Sequence, residues 1–138
     1  MRKAPFTARI ELKVEASVYP SESSEKVMSA VTNVIDKCAP EFRYGSRVIG
    51  RACGSESLSA IYEQVRSKAS IGVLRRMLLD NKVANTTYFF LNKQAASAGV
   101  VVIIEDAKES PLGPIRVNID CEELDMLICW LVPGNGKK

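Results

Sequence analysis

Residues 8–20 read ARIELKVEASVYP, and their alternation decides the fold class. Ile10, Leu12, Val14, Ala16 and Val18 point one way, while Arg9, Glu11, Lys13, Glu15 and Ser17 point the other. Side chains switch faces at every residue of a strand, so this is a strand with one buried and one solvated face, as in antiparallel sheets. Tyr19-Pro20 ends it, because proline has no N–H for the ladder. Ser21 then offers an N-cap, and Glu22 and Glu25 bring negative charge to a first helical turn. Val27, Val31, Val34 and Ile35 follow at helical spacing. The spacing predicts a helix over 21–37, closed by Pro40, that lays one apolar stripe on the sheet.

The remaining chain extends the same plan. EFRYGSRVIGRACGS (41–55) reads as a turn followed by a second strand. Leu58, Ile61, Tyr62 and Val65 mark one amphipathic helix, and Ile71, Leu74, Leu78 and Leu79 mark another that stops at Asn81. TTYFFLN (86–92) is rich in β-formers and makes a third strand. GVVVIIE (99–105) makes a fourth, whose nearly continuous apolar run predicts a central, well-covered position. IRVNID (115–120) resumes alternation as a fifth, and Leu124, Leu127, Ile128 and Leu131 fall on a last helix that ends at Pro133. The order β-α-β-α-α-β-β-β-α predicts the α+β class: a five-stranded antiparallel sheet with helices packed on one face. One domain over residues 1–138 is expected, with residues 134–138 as a frayed tail.

Composition narrows the functions. No apolar run approaches the roughly 20 residues of a membrane helix. The start, MRKAPFTARIE, turns polar after two basic residues, so no secretory signal is expected and the protein is placed in the cytoplasm. The chain has no histidine, which removes Ser-His-Asp and Cys-His machinery and the commonest general base at neutral pH. Cys38, Cys53, Cys121 and Cys129 form no C-x-x-C pair and have apolar flanks, as expected of buried thiols in a reducing compartment. The glycines form neither G-x-G-x-x-G nor a P-loop, and no cofactor or metal is implied. A non-enzyme is expected. The net charge of +3 divides into +1 over residues 1–40, +5 over 41–93 and −3 over 94–138. A basic middle suits a nucleic-acid face or a head-to-tail contact between subunits.

Two groups of residues could carry function. Arg43, Arg47 and Arg51 stand at even separations, interleaved with Phe42 and Tyr44, so an extended chain places the arginines on one face. Arginines beside aromatic rings hold single-stranded RNA by stacking and by neutralising phosphate; a solvated strand face uses the same pattern. In Asn92-Lys93-Gln94, Lys93 could meet phosphate as a point charge. The structural use is the more economical: a tight strand-to-strand connection whose amides satisfy backbone groups, with Lys93 left free. Arg66, Lys68, Arg75 and Arg76 read as the solvated face of a helix. ESPLGPI (109–115) reads as a rigid hairpin connection through Pro111, Gly113 and Pro114, with Leu112 exposed at its tip. Glu105-Asp106 and Glu122-Glu123-Asp125 flank turns and read as caps.

The run FFLNKQAASAGVVVIIEDAKESPLGPIRVNI (89–119) resembles a family of small archaeal proteins whose strand also ends in Leu-Asn-Lys-Gln-Ala and leads to Pro-Leu-Gly-Pro-Ile. VEASVYPSESSEKVMSAVTNV (14–34) and WLVPG (130–134) are similar to that family's opening and ending. The resemblance implies a fold like that of the 5S-rRNA-binding ribosomal protein, and distant kinship to archaeal RNA-binding and exosome-associated proteins. Two functions stay open. One is a non-catalytic, RNA-associated protein using Arg43, Tyr44, Arg47, Arg51 and Lys93. The other is a protein–protein interaction module or structural homodimer that binds no nucleic acid.

Overall fold

The computed structural model describes residue 4, residues 7–110 and residues 112–134. Six strands are found among them: β1 (Ile10–Ser17), β2 (Ala39–Arg43), β3 (Arg47–Cys53), β4 (Thr86–Asn92), β5 (Ile103–Ile104) and β6 (Pro114–Cys121). They form one sheet in the order β2-β3-β1-β6-β4-β5, with every neighbouring pair antiparallel. The helices are α1 (Ser24–Val34), α2 (Ser59–Ser67), α3 (Ile71–Asp80), α4 (Lys93–Ser97) and α5 (Leu124–Leu131). The α+β class and the antiparallel sheet are as the sequence predicts; the strand count is six instead of five.

The alternation in β1 does what it promised. Ile10, Leu12, Val14 and Ala16 are buried, and the register carries that face into Ile115, Val117 and Ile119 of β6 and Phe89 and Leu91 of β4. Val27 and Val31 of α1, Leu74 and Leu78 of α3, and Leu127 and Ile128 of α5 complete one core with them. The helices thus cover one face, and the odd-numbered positions of β1 are left on the other. No helix among the described residues is long and apolar enough to cross a membrane.

Four local readings need correction. The extra strand is β2, which pairs with β3 through a turn where Tyr44 and Gly45 both have positive φ (59° and 70°). Residues 44–46 make the connection, and the β-turn closed by the Ser46 N–H on the Arg43 carbonyl has positive φ at both central residues, which suits the twist of the strands. Pro40 is tolerated because β2 is an edge strand, and Gly50 lies opposite it because a Cβ there would sit 2.5 Å from Cys38 Sγ. Second, α1 starts at Ser24 because Glu22 is held in the preceding turn, its Oε1 accepting from the Tyr19 N–H at 3.0 Å.

Third, the apolar run of residues 100–104 is no central strand. Only Ile103–Ile104 pair with β4, at the sheet edge. Gln64 of α2 supplies what a neighbouring strand would: its Oε1 accepts from Val101 N at 2.8 Å and its Nε2 donates to the Gly99 carbonyl at 2.9 Å. Fourth, Arg66 is not part of a solvated face. Its guanidinium lies 3.4 Å from the Tyr62 ring centroid and donates to the carbonyls of Trp130 and Leu131, capping the last turn of α5. Arg75 is half-buried, with Nη1 enclosed and unpartnered among the described residues. Asp106 does cap the short turn that follows β5, reciprocally with Glu109.

The cysteines also divide. Cys121 is buried and Cys38 half-buried, whereas Cys53 and Cys129 are exposed, against the expectation of burial throughout. Burial pushes the Cys38 and Cys121 thiols up, away from the reactive thiolate. Brief treatment of the native protein with iodoacetamide at about pH 8 is expected to modify Cys53 and Cys129 and spare Cys38 and Cys121 until denaturant is added. Peptide mass spectrometry reads the outcome; equal labelling of Cys121 and Cys129 in the native state would contradict this packing.

Candidate nucleic-acid interface

The face of the sheet that the helices leave open is organised in rows, because antiparallel partners point the same way. One row runs Ala39, Arg51, Lys13, Asn118, Tyr88 across β2, β3, β1, β6 and β4. The row on one side of it runs Glu41, Ile49, Glu15, Arg116, Phe90. The row on the other side runs Cys53, Glu11, Asp120, Thr86. An open depression of about 770 Å³ lies over these rows, lined by Arg9, Lys13, Lys37, Arg51, Tyr88 and Arg116 together with Glu11, Asn118 and Asp120.

Its electrostatics are lopsided. Lys13 and Arg51 are direct cross-strand partners, and like charges placed so are destabilising by tenths of a kcal/mol. Neither makes an ion pair among the described residues, and neither does Arg9. Lys37, by contrast, is paired with Glu56 at 2.5 Å; that hydrogen bond and charge raise the lysine and lower the carboxyl from their ordinary values.

Arg116 is held in a fixed pose. Its Nε donates to Asn118 Oδ1 at 2.9 Å, and its guanidinium lies 4.0 Å from the Tyr88 ring centroid. Asn118 is fixed in turn, its Nδ2 donating to the Lys13 carbonyl and to Glu15 Oε2, both at 3.0 Å. Tyr88 and Phe90 stand edge to face, with centroids 5.6 Å apart. The side-chain chemistry is therefore cation, cation, amide and ring in succession, with a second ring beside it.

The sequence candidates are distributed unevenly over this geometry. Arg43, Arg47 and Arg51 do share the open face, although a turn separates Arg43 from the other two. Arg51 lines the depression. Arg43 and Arg47 stand at the far end of β2 and β3, paired with Glu41 at 2.5 Å and with Glu15 at 2.8 Å. The Glu41 carboxylate raises the Arg43 guanidinium through a hydrogen bond and its charge. Tyr44 is 80% exposed in the hairpin turn.

Lys93 is the clearest correction. It is 2% exposed, and its ammonium donates to Glu22 Oε1 at 2.9 Å, to the Ser17 carbonyl at 2.7 Å and to the Leu112 carbonyl. The Tyr19 ring centroid lies 5.4 Å away. A charge so enclosed has no face for phosphate. The segment is also not a plain strand-to-strand connection: Asn92 accepts from Ala95 N at 2.9 Å and caps α4, while Gln94 is exposed. Gly113 carries a positive φ of 82°, Pro114 opens β6 opposite Asn92, and Leu112 is half-buried; Pro111 lies outside the described residues.

Sequence reasoning missed Lys13, Tyr88 and Arg116 as a group. Alternation places each on the solvated side of its own strand, but only the pairing of β6 with both β1 and β4 brings them together.

The geometry is that of an α+β protein with one apolar face packed and one basic, aromatic face open. A family model described as RNA binding matches residues 11–121. The chain belongs to the UPF0201 family: it is 34% identical over 127 residues to the UPF0201 protein of Sulfurisphaera tokodaii, covering 90% of this chain and 88% of that one. It is 38% identical over 126 residues to the UPF0201 protein of Thermococcus onnurineus, covering 89% and 91%. Its fold is similar to the crystal structure of the UPF0201 protein of Methanococcus jannaschii, with a TM-score of 0.76 at 28% identity over 92% of this chain and 96% of that one.

Lys93→Ala leaves the largely enclosed side chain of Glu22 without its counter-charge, and removing one partner of a buried pair typically costs about 3–5 kcal/mol. A loss of that size is expected in urea unfolding. Lys93→Met combined with Glu22→Leu is expected to lose less than Lys93→Ala alone, because no uncompensated charge stays behind.

Proposed function

We propose that this protein binds RNA without catalysing a reaction, through the open face of its sheet. The observation that carries the reading is the Lys13–Arg51 pair: two cations opposed across neighbouring strands, without carboxylate partners, beside the Tyr88–Arg116 stack. Juxtaposed like charges weaken a sheet and gain from an anion that bridges them. A repeating anion with flat bases fits a surface that offers cations in one stretch and rings in the next. The family model described as RNA binding supports the same reading, since its match spans β1 through β6. So does the kinship with RNA-associated archaeal proteins, and with the 5S-rRNA-binding ribosomal fold, that the sequence resemblance implies.

The core of the interface is Lys13, Arg51, Arg116 and Tyr88, with Arg9 at its margin. Arg43, Tyr44 and Arg47 flank it; their exposed ion pairs are weak enough to be exchanged for phosphate. Lys93 contributes to folding and not to binding.

Fluorescence anisotropy with a mixed pool of structured and unstructured RNA at about 50 and 200 mM salt tests the reading. Each phosphate contact on a single strand adds about −0.7 to the log–log salt slope, so Lys13 and Arg51 together are expected to contribute about −1.4. Lys13→Gln with Arg51→Gln is expected to remove about 1.4 of that slope and leave thermal stability unchanged or higher. An absence of binding at about 50 mM salt, where electrostatic attraction is strongest, would overturn the proposal in favour of a protein partner or a second copy of the chain.

A further inference from the structure

We infer that the open face takes an unpaired stretch of RNA and discriminates against a duplex, with one base lying on the Arg116 guanidinium beside Tyr88 and Phe90 and the backbone on Lys13 and Arg51. The inference rests on the RNA reading above and specifies the form of RNA.

Three observations carry it. The first is the pose of Arg116. Its direct cross-strand partner is Glu15, an opposite charge, yet the two do not pair. Glu15 is engaged by Arg47 and Asn118, and Arg116 instead lies over Tyr88 with Nε tied to Asn118. The result is an exposed guanidinium, set over a ring, whose terminal nitrogens have no hydrogen-bond partner among the described residues. Such a plane stacks on a base that has left its own helix; a base inside a duplex has both faces occupied.

The second observation is that two rings accompany it. Tyr88 and Phe90 are two residues apart on β4 and only half-buried on a face that the helices do not cover. Tyr88 lines the basic depression and Phe90 stands against it in the next row, and such aromatic surface is of use to bases and of none to phosphate.

The third is the width of the basic strip. Glu11 and Asp120 are themselves direct cross-strand partners and lie two residues along from Lys13 and Asn118. At about 3.4 Å per strand residue the separation is near 7 Å, within a Debye length at physiological salt. A single phosphate chain can follow Lys13 and Arg51, but the second chain of a duplex laid across the depression would meet carboxylates. The strip is one chain wide.

The test compares a short unpaired RNA with a blunt duplex of the same sequence, by anisotropy at about 50 mM salt. The single strand is expected to bind at least about tenfold more tightly. Arg116→Lys keeps the charge and removes the plane. It is expected to weaken the single strand about five- to hundredfold while leaving the salt slope unchanged, since stacking and not phosphate neutralisation is lost. A circular dichroism melt matched to the parent confirms that the variant is folded. Duplex binding as tight as single-strand binding would overturn the inference and leave the RNA reading standing, as would an Arg116→Lys variant with unaltered affinity. Binding of neither RNA would defeat the RNA reading itself, and this inference with it.

Discussion

Taking an ammonium ion out of water costs several kcal/mol unless counter-charge and acceptors are waiting for it. Lys93 finds them in three places: the Ser17 carbonyl at the end of β1, the Glu22 carboxylate ahead of α1, and the Leu112 carbonyl ahead of β6. An ammonium group has three donors, so this set exhausts it. Apolar contacts hold surfaces together without fixing direction; three converging hydrogen bonds fix where three strand and helix ends must meet. The effect reaches the open face, since β1 and β6 are neighbours at the centre of the sheet. Their alignment sets Glu15 opposite Arg116 and Lys13 opposite Asn118.

A sheet packed on one side divides its residues between two demands. Inward positions are chosen by volume and apolarity: Val14, Val117 and Phe89 sit in register and fully buried. Outward positions face water and are free of that demand. The fold would be served by opposite charges on neighbouring strands, as Arg47 and Glu15 show at one end. At the other end the pattern is reversed: Lys13 faces Arg51, and Glu11 faces Asp120. Segregating like charges into adjacent rows works against the sheet and does nothing for the core. It is intelligible as the cost of presenting a charge pattern to something outside the molecule.

How much of this was legible depended on whether a residue's role was local. The alternation of β1 and β6 and the helical stripes of α1, α2, α3 and α5 are local, and they place most of the core; in α3 the stripe misses Met77, which is buried, and takes in Leu79, which is exposed. β2 was hidden because Pro40 argues against a strand unless the strand is at an edge, which local sequence does not reveal. The run at 100–104 was apolar enough for a central strand; that Gln64, more than thirty residues earlier, would satisfy its backbone was not readable. Lys93 was misjudged for the same reason. Hydropathy gives a lysine to the solvent, and only the partners at Ser17, Glu22 and Leu112, from 19 to 76 residues away, make its burial sensible.

The arginines separate parity from position. Even spacing put Arg43, Arg47 and Arg51 on one face, and they are on one face. Sharing a face is still not sharing a site. Arg47 and Arg51 are four residues apart on β3, about 13 Å along the strand, which exceeds the Debye length of about 8 Å at physiological salt. Their surroundings differ in sign as well: Arg47 has Glu15 and Arg43 has Glu41, so that end of the sheet is close to neutral. Arg51 has Lys13, with Arg9 and Arg116 lining the same depression. Each end acts on an approaching charge almost independently, and the excess of positive charge lies at the Arg51 end. The pull that the proposed function needs therefore comes from a cluster drawn from β1, β3 and β6, and none of those strands carries it alone.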